Sequence, residues 1–158
     1  MSVDGLIAAA LFLVLLALVV FGVDKALDVR RLGHTASDRD DAVAAARKEV
    51  LALTTISATS TNRDIKRILA GASKSFKAQF QEQATAFRKA LSDGQVKSTG
   101  TIASAGLASF TGARAQVLVA ASGTVQNKTS KTAQPRNYRL KVSLVKTGGD
   151  WLVSGMDF

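Results

Sequence analysis

A chain of 158 residues is long enough for one modest domain and its core. It has no cysteine, which excludes a disulfide framework and a thiolate metal site. Its formal charge of +9, from 21 basic and 12 acidic side chains, suits anionic partners, namely lipid headgroups, acidic protein faces or nucleic acid, or a well-solvated surface with no partner. Fifteen of the basic residues lie between Arg63 and Lys146, against only Asp64, Glu82 and Asp93.

Residues 6–23 read LIAAALFLVLLALVVFGV, without a charge or a proline. At a rise of about 1.5 Å per residue such a stretch spans roughly 27 Å, close to a hydrocarbon core. This predicts a transmembrane anchor over residues 1–25, with Leu6, Leu11, Leu15, Val19 and Val23 facing lipid or core. A cleaved signal peptide is the alternative. It asks for a basic start, a shorter apolar run and a small-residue cleavage site. Here the start is Met1-Ser2-Val3-Asp4 and the run ends at Asp24-Lys25. Lys25, Arg30 and Arg31 follow the segment and only Asp4 precedes it, an asymmetry that places the following domain in the cytoplasm.

Residues 26–37 read as a juxtamembrane linker and 38–158 as an α+β globular domain. Ser37-Asp38-Arg39-Asp40-Asp41 is a helix-start signal, its acids suited to the positive end of the helix dipole. Val43, Ala46, Val50 and Leu53 then line one face of a helix over 38–56. Thr61-Asn62 caps a second helix with Ile65 and Leu69 inward, and Gly71 bends or ends it. A third helix, 73–91, carries the stripe Phe76, Phe80, Ala84, Phe87 and Leu91, and Gly94 ends it in the left-handed conformation.

From Gln95 the pattern changes to strands. They are expected at 95–109, with bends or bulges at Gly100 and Gly106, and at 113–126. A polar loop over 127–136 contains Pro135. Tyr138, Leu140, Val142 and Leu144 then alternate with Arg139, Lys141 and Ser143, and Thr147-Gly148-Gly149-Asp150 is a hairpin turn into a last strand, 151–158. Helices followed by four meandering antiparallel strands predict a sheet curled around the phenylalanine-bearing helix.

Little in the sequence suggests catalysis, and no cofactor is expected. His34, the one histidine, lies in a polar stretch beside the apolar segment. Asp38, Asp40 and Asp41 suit a helix N-terminus better than a metal. The glycines are scattered and form no phosphate-binding or dinucleotide fingerprint. Asp64, in the first turn of the second helix, reads as dipole compensation, with a proton-abstracting base as the other possibility. Phe76, Phe80, Phe87 and Tyr138 read as core, or as the lining of a ligand pocket between helix and sheet. Lys128, Lys131, Arg136, Arg139 and Lys141 form a candidate partner surface around the third strand. Arg139 and Lys141 share the strand face opposite Tyr138, Leu140 and Val142.

In order along the chain stand the apolar segment, Leu53-Thr54-Thr55, Arg67-Ile68-Leu69-Ala70-Gly71-Ala72-Ser73 running to Phe76 and Phe80, residues 115–120 (AQVLVA), residues 138–144 (YRLKVSL) and Trp151-Leu152-Val153-Ser154. This ordered set resembles the Mce-associated membrane proteins of actinobacteria. The resemblance implies a nuclear-transport-factor-like cone, helices packed on a curved four-stranded antiparallel sheet, related to the periplasmic domain of a type IV secretion scaffold subunit. It implies a non-catalytic accessory subunit of Mce systems, which are lipid and sterol importers with a permease, an ATPase and secreted Mce chains. The implied partners are the Mce proteins, the permease or other transporter subunits, and the lipid bilayer; nucleic acid is not expected. The resemblance also places the domain outside the cytoplasm, against the charge asymmetry after the apolar segment. A module binding a lipid or other small ligand is the alternative.

Overall fold

The computed structural model describes residues 35–130 and 132–158. The expected anchor with Leu6, Leu11, Leu15, Val19 and Val23, most of the linker, His34 and Lys131 lie outside the described residues. Among the described residues no helix is long and apolar enough to cross a membrane. One compact unit runs Asp38–Phe158.

The first helix, α1, covers residues 35–54. It is already formed at Thr35, so Asp38, Asp40 and Asp41 lie within it rather than at its start. Asp38 instead pairs with Lys146, and the Arg39 guanidinium lies 5.4 Å from the Phe110 ring centroid. The fully buried positions are Ala42, Ala46 and Val50, with Val43 and Leu53 partly buried beside them. Helix α2, Thr61–Ala70, buries Asp64, Ile65 and Ile68. Helix α3, Lys74–Gly94, starts at Ser73, whose side chain accepts from the Phe76 N–H. Gly94 stays helical, and Gln95 takes the left-handed position at φ 48°. The turn expected at the glycine thus falls one residue later; a β-carbon on Gly94 would lie 3.0 Å from Val96.

Four strands follow, β1 Lys97–Phe110, β2 Arg114–Gln126, β3 Gln134–Thr147 and β4 Asp150–Asp157, in the order β1-β2-β3-β4, all antiparallel. Strand β3 starts before the expected loop ends. Pro135 pairs with Thr124 near its first residue, a place where a missing N–H is tolerated. Gly148 and Gly149 take φ of 62° and 97°, and the expected hairpin joins β3 to β4.

Irregularities in β1 fall between Ile102 and Ser104 and between Leu107 and Ser109, not at Gly100 or Gly106. Each extra residue resets the alternation, so that Ile102, Ala105, Leu107 and Phe110 all pack against the core. Gly100 serves a different purpose. A β-carbon there would fall 2.1 Å from the Thr54 hydroxyl, so the glycine lets β1 pass under the end of α1.

The core joins Ala42, Ala46 and Val50 of α1 to Ala115, Val117, Val119 and Ala121 of β2, Leu140, Val142 and Leu144 of β3, and Trp151 and Val153 of β4. The helix seated on the sheet is therefore α1, not the phenylalanine-bearing α3. Of the α3 phenylalanines, Phe76 packs against this core, whereas Phe80 and Phe87 meet each other edge to face, 5.6 Å between centroids, outside it. The reason is steric. A stripe of alanines and one valine lets a helix axis approach the sheet closely, and phenylalanines hold it off.

Each sheet edge is paired in part by the segments that join the helices. Ile56 and Ser98 exchange backbone hydrogen bonds of 3.1 and 2.8 Å on the β1 edge, and the Ala58 N–H donates to Val96 at 2.7 Å. On the β4 edge the Val153 N–H donates to Gly71 and the Ser73 N–H to Val153, each at 2.8 Å. Pairing of this kind shortens the stretch of edge open to a further strand.

The two large aromatics should separate in a mutational test. Trp151 is 7 % exposed and stacks against Phe110 at 5.7 Å. Trp151→Ala should cost about 3–5 kcal/mol in chemical denaturation of the protein. Phe80→Ala, at a half-buried site outside the core, should cost about 1–2 kcal/mol. Equal losses for the two variants would contradict the division between core and α3.

Candidate functional site

Among the described residues, the outer face of the sheet, the exposed side of α3 and a cleft beside α1 each hold a groove or pocket.

On the outer face, strand alternation brings Arg139 opposite Ala120 and Lys141 opposite Leu118. Both basic side chains are exposed, and Lys141 pairs with Asp157 at 3.0 Å. Leu118 is 54 % exposed and Phe158 82 %, and both line a shallow groove of about 580 Å³ with Arg139 and Lys141. Alternation along β2 likewise puts Leu118 and Ala120 on the side opposite the buried Val117 and Val119, beside Arg139 and Lys141. Arg136 is exposed, yet it pairs with Gly123 and alternates onto the face of Tyr138 and Leu140, away from Arg139. Lys128 is exposed in the β2–β3 loop, where its N–H donates to the Gly94 carbonyl. The expected cluster is therefore two residues on the outer face, with Arg136 and Lys128 apart from them.

On α3, Phe76, Phe80 and Phe87 line an open groove of about 560 Å³ with Met156 of β4. Tyr138 is not part of it; it is half-buried against the core. Three of the four residues expected to line a pocket are together, and Met156 stands where Tyr138 was expected.

Asp64 is buried and fully engaged. One carboxylate oxygen accepts from the Ser57 N–H at 2.9 Å and the Ser60 hydroxyl at 2.7 Å; the other meets Arg67 at 3.1 Å. These bonds fasten the α1–α2 loop to the first turn of α2. No free oxygen is aimed at a cavity, so the geometry favours the structural reading over a base.

The acid that sequence reasoning missed is Glu49. It lies on α1 between Ala46 and Val50 on the buried side and is 2 % exposed. Its Oε1 has no hydrogen-bond partner among the described residues. Burial raises its pKa from an ordinary 4.5 to about 7, with Lys48 and Arg67 pulling it down. Arg67 is not free to neutralise it, because its guanidinium also donates to the carbonyls of Ala52 and Thr55. A helical face drawn through residues 42, 46, 49, 50 and 53 contains Glu49; the face drawn through Val43, Ala46, Val50 and Leu53 passes beside it. The carboxyl borders a cleft of about 560 Å³ formed with Gly71, Asp150 and Trp151.

The raised pKa fixes the sign of a pH effect. The unfolded chain releases this proton near pH 4.5 and the folded chain near 7. The stabilisation from the neutral carboxyl is complete below pH 4.5, declines as pH rises, and is gone above about 7. At about 1.4 kcal/mol per unit the loss is at most about 3.5 kcal/mol. Glu49→Gln removes the titration. Its melting temperature should exceed that of the unsubstituted protein by several degrees at pH 8 and match it near pH 4. Parallel pH profiles for the two proteins would mean that Glu49 ionises freely.

Comparison with known proteins bears on the whole chain. Over 129 residues it is 30 % identical to "Uncharacterized protein Rv1363c" of Mycobacterium tuberculosis, covering 79 % of this chain and 49 % of that protein, so the chain spans about half the length of this relative. Among solved structures, an IcmL-like type IV secretion system protein from Legionella pneumophila superposes with a TM-score of 0.61 at 12 % identity, covering 75 % of this chain and 90 % of that one. The two share a fold: helices on a four-stranded antiparallel sheet. The family described as "Uncharacterized protein Rv1363c/MT1408-like" matches residues 4–158, and the chain belongs to that family.

Proposed function

We propose that this chain is a non-catalytic, membrane-anchored accessory subunit that supports the assembly or stability of an Mce-type lipid or sterol import complex. In this reading the domain is a nuclear-transport-factor-like cone held outside the cytoplasm. The observation that carries the proposal is the outer sheet face, where exposed Leu118 and Phe158 lie beside exposed Arg139 and Lys141. Apolar residues framed by basic ones suit an acidic, partly apolar surface on a transporter subunit, and charge at such a surface steers association. Three further points support the reading: the uncharged segment over residues 6–23, the ordered resemblance to Mce-associated proteins, and the fold held in common with a protein described as a secretion-system component.

A second reading is favoured by the α3 groove. Phe76, Phe80, Phe87 and Met156 offer an apolar trough to a lipid or other small ligand. Phe80→Asp should abolish ligand retention under this reading and leave partner recovery intact under the first.

Two experiments test the main proposal. Arg139→Glu with Lys141→Glu should leave the melting temperature nearly unchanged, since exposed ion pairs such as Lys141–Asp157 contribute at most about 1 kcal/mol. The same variant should weaken co-purification with membrane partners, most clearly at low salt. Unchanged recovery at low and high salt would rule this face out. For orientation, a reporter fused after Phe158 should be active only outside the cytoplasm; activity confined to the cytoplasm would overturn the proposed topology.

A further inference from the structure

The outer face of the sheet holds a second pocket, of about 510 Å³, at the end nearer the β1–β2 turn. Ser109, Thr111, Arg114, Gln116, Ser143 and Ser154 are among the residues that line it. It shares no lining residue with the groove of Leu118 and Phe158. Among the described residues around it, Arg114 alone carries a charge, and no acid lines it.

Register explains why these side chains converge. Arg114 and Gln116 alternate onto one face of β2, about 6–7 Å apart along the strand. Gln116 pairs with Ser109 of β1 on one side and with Ser143 of β3 on the other. Side chains directly opposed in this way stand about 4.5–5.5 Å apart. The pairing of β3 with β4 shifts here, since Ser143 pairs with Gly155 but Leu144 with Val153. Ser154 is the extra residue, and its hydroxyl donates to the Ser143 carbonyl at 3.2 Å. Gly155 in turn puts no side chain across from Ser143.

The hydrogen bonds already made decide which atoms remain. The Ser109 hydroxyl donates to Gln116 Oε1 at 3.5 Å, which leaves the Gln116 amide nitrogen as its unspent end. The Thr111 and Ser154 hydroxyls donate to the backbone carbonyls of Arg114 and Ser143. The Arg114 guanidinium and the Ser143 hydroxyl have no partner among the described residues. What is left is a set of donors: a guanidinium, an amide N–H and a hydroxyl. Arg114 repels a cation. A neutral polyol would leave the guanidinium without a counter-charge. A carboxylate offers two oxygens in one plane, whereas a tetrahedral phosphoryl group offers three, one for each donor, and pairs with arginine through charge-assisted bonds.

We propose that this pocket binds a phosphoryl group, held by Arg114, Gln116 and Ser143. The site is separate from the groove of Leu118 and Phe158 and stands or falls independently of the accessory-subunit reading.

The full chain, in a neutral detergent at fixed ionic strength, is titrated with inorganic phosphate, with glycerol 3-phosphate and with phosphatidic acid carried in the same micelles. Heat of binding and the phosphorus resonance of the ligand are followed together. Saturable binding of at least one of the three is expected. Binding of phosphate or its glycerol ester assigns the site to a soluble ligand, and binding of phosphatidic acid alone assigns it to a lipid headgroup. Arg114→Gln should weaken binding about tenfold or more, the usual consequence of losing a charge-assisted hydrogen bond. Ser143→Val, which removes the hydroxyl and fills the pocket, should do the same and carries the test if Arg114→Gln does not fold. Arg63→Gln removes the same charge from the exposed side of α2 and should leave affinity within about twofold, since salt screens a charge outside the pocket. No saturable response to any of the three ligands would overturn the proposal. So would equal losses in Arg63→Gln and Arg114→Gln, which would mean that net charge alone attracts the anion. Unchanged affinity in both folded pocket variants would overturn it too, as would a response to phosphatidic acid alone that diacylglycerol matches.

Discussion

The packing of α1 on the sheet is the contact on which the rest of the domain depends. Ala42, Ala46 and Val50 are completely buried against Val117, Val119, Leu140 and Val142. Small side chains on the helix face branched ones on the strands, a combination that permits close approach. The same closeness is relayed along the helix. At its far end Gly100 admits Thr54, and the Gly100 N–H donates to the Thr55 hydroxyl at 3.2 Å. Once α1 holds the central position, α3 is confined to the side of the sheet, where α2 and β4 bury only Ala84 and Leu91 of its length. The half-buried phenylalanine groove follows from that displacement.

Pairing along the two edges has a consequence for where the domain can meet a partner. The α1–α2 loop pairs with the start of β1 and the α2–α3 link pairs with Val153 of β4, so backbone addition of a further strand is hindered at those places. One face of the sheet is under α1. The other carries Leu118 between Gly106 and Lys141, with no helix placed over it among the described residues. Association through side chains on that face is a route the topology leaves open, and Arg139 and Lys141 give it a sign.

Features set by local chemistry were legible in the sequence. The Gly148-Gly149 turn needs positive φ at both central residues, and few sequences other than paired glycine provide it. The alternation through Tyr138, Leu140, Val142 and Leu144 placed Arg139 and Lys141 outward by period alone. What depends on tertiary competition was not legible. The stripe of phenylalanines on α3 gave the stronger apolar signal, and the alanines of α1 gave a weak one, yet closeness of approach decided in favour of the alanines. The resets in β1 fall beside Ala103 and Ala108 because they keep Ile102, Leu107 and Phe110 inward, a requirement of the core that the strand's own glycines do not reveal. Arg136 was grouped with Arg139 because the stretch before Tyr138 read as loop; as strand, it alternates to the opposite side.

The two buried acids draw the sharpest contrast. Asp64 sits in a helix first turn with two donors and a guanidinium, so its charge is compensated and its burial stabilises the loop it fastens. Glu49 is as deeply buried, has a bare oxygen, and is pushed toward neutrality by the loss of water around it. Arg67 is close enough to influence both, yet its hydrogen bonds go to Asp64 and to the end of α1. Moving that guanidinium to Glu49 would take it from Asp64 and from two carbonyls, leaving Asp64 with its bonds from Ser57 and Ser60. The burial penalty therefore stays with Glu49, on the buried side of α1.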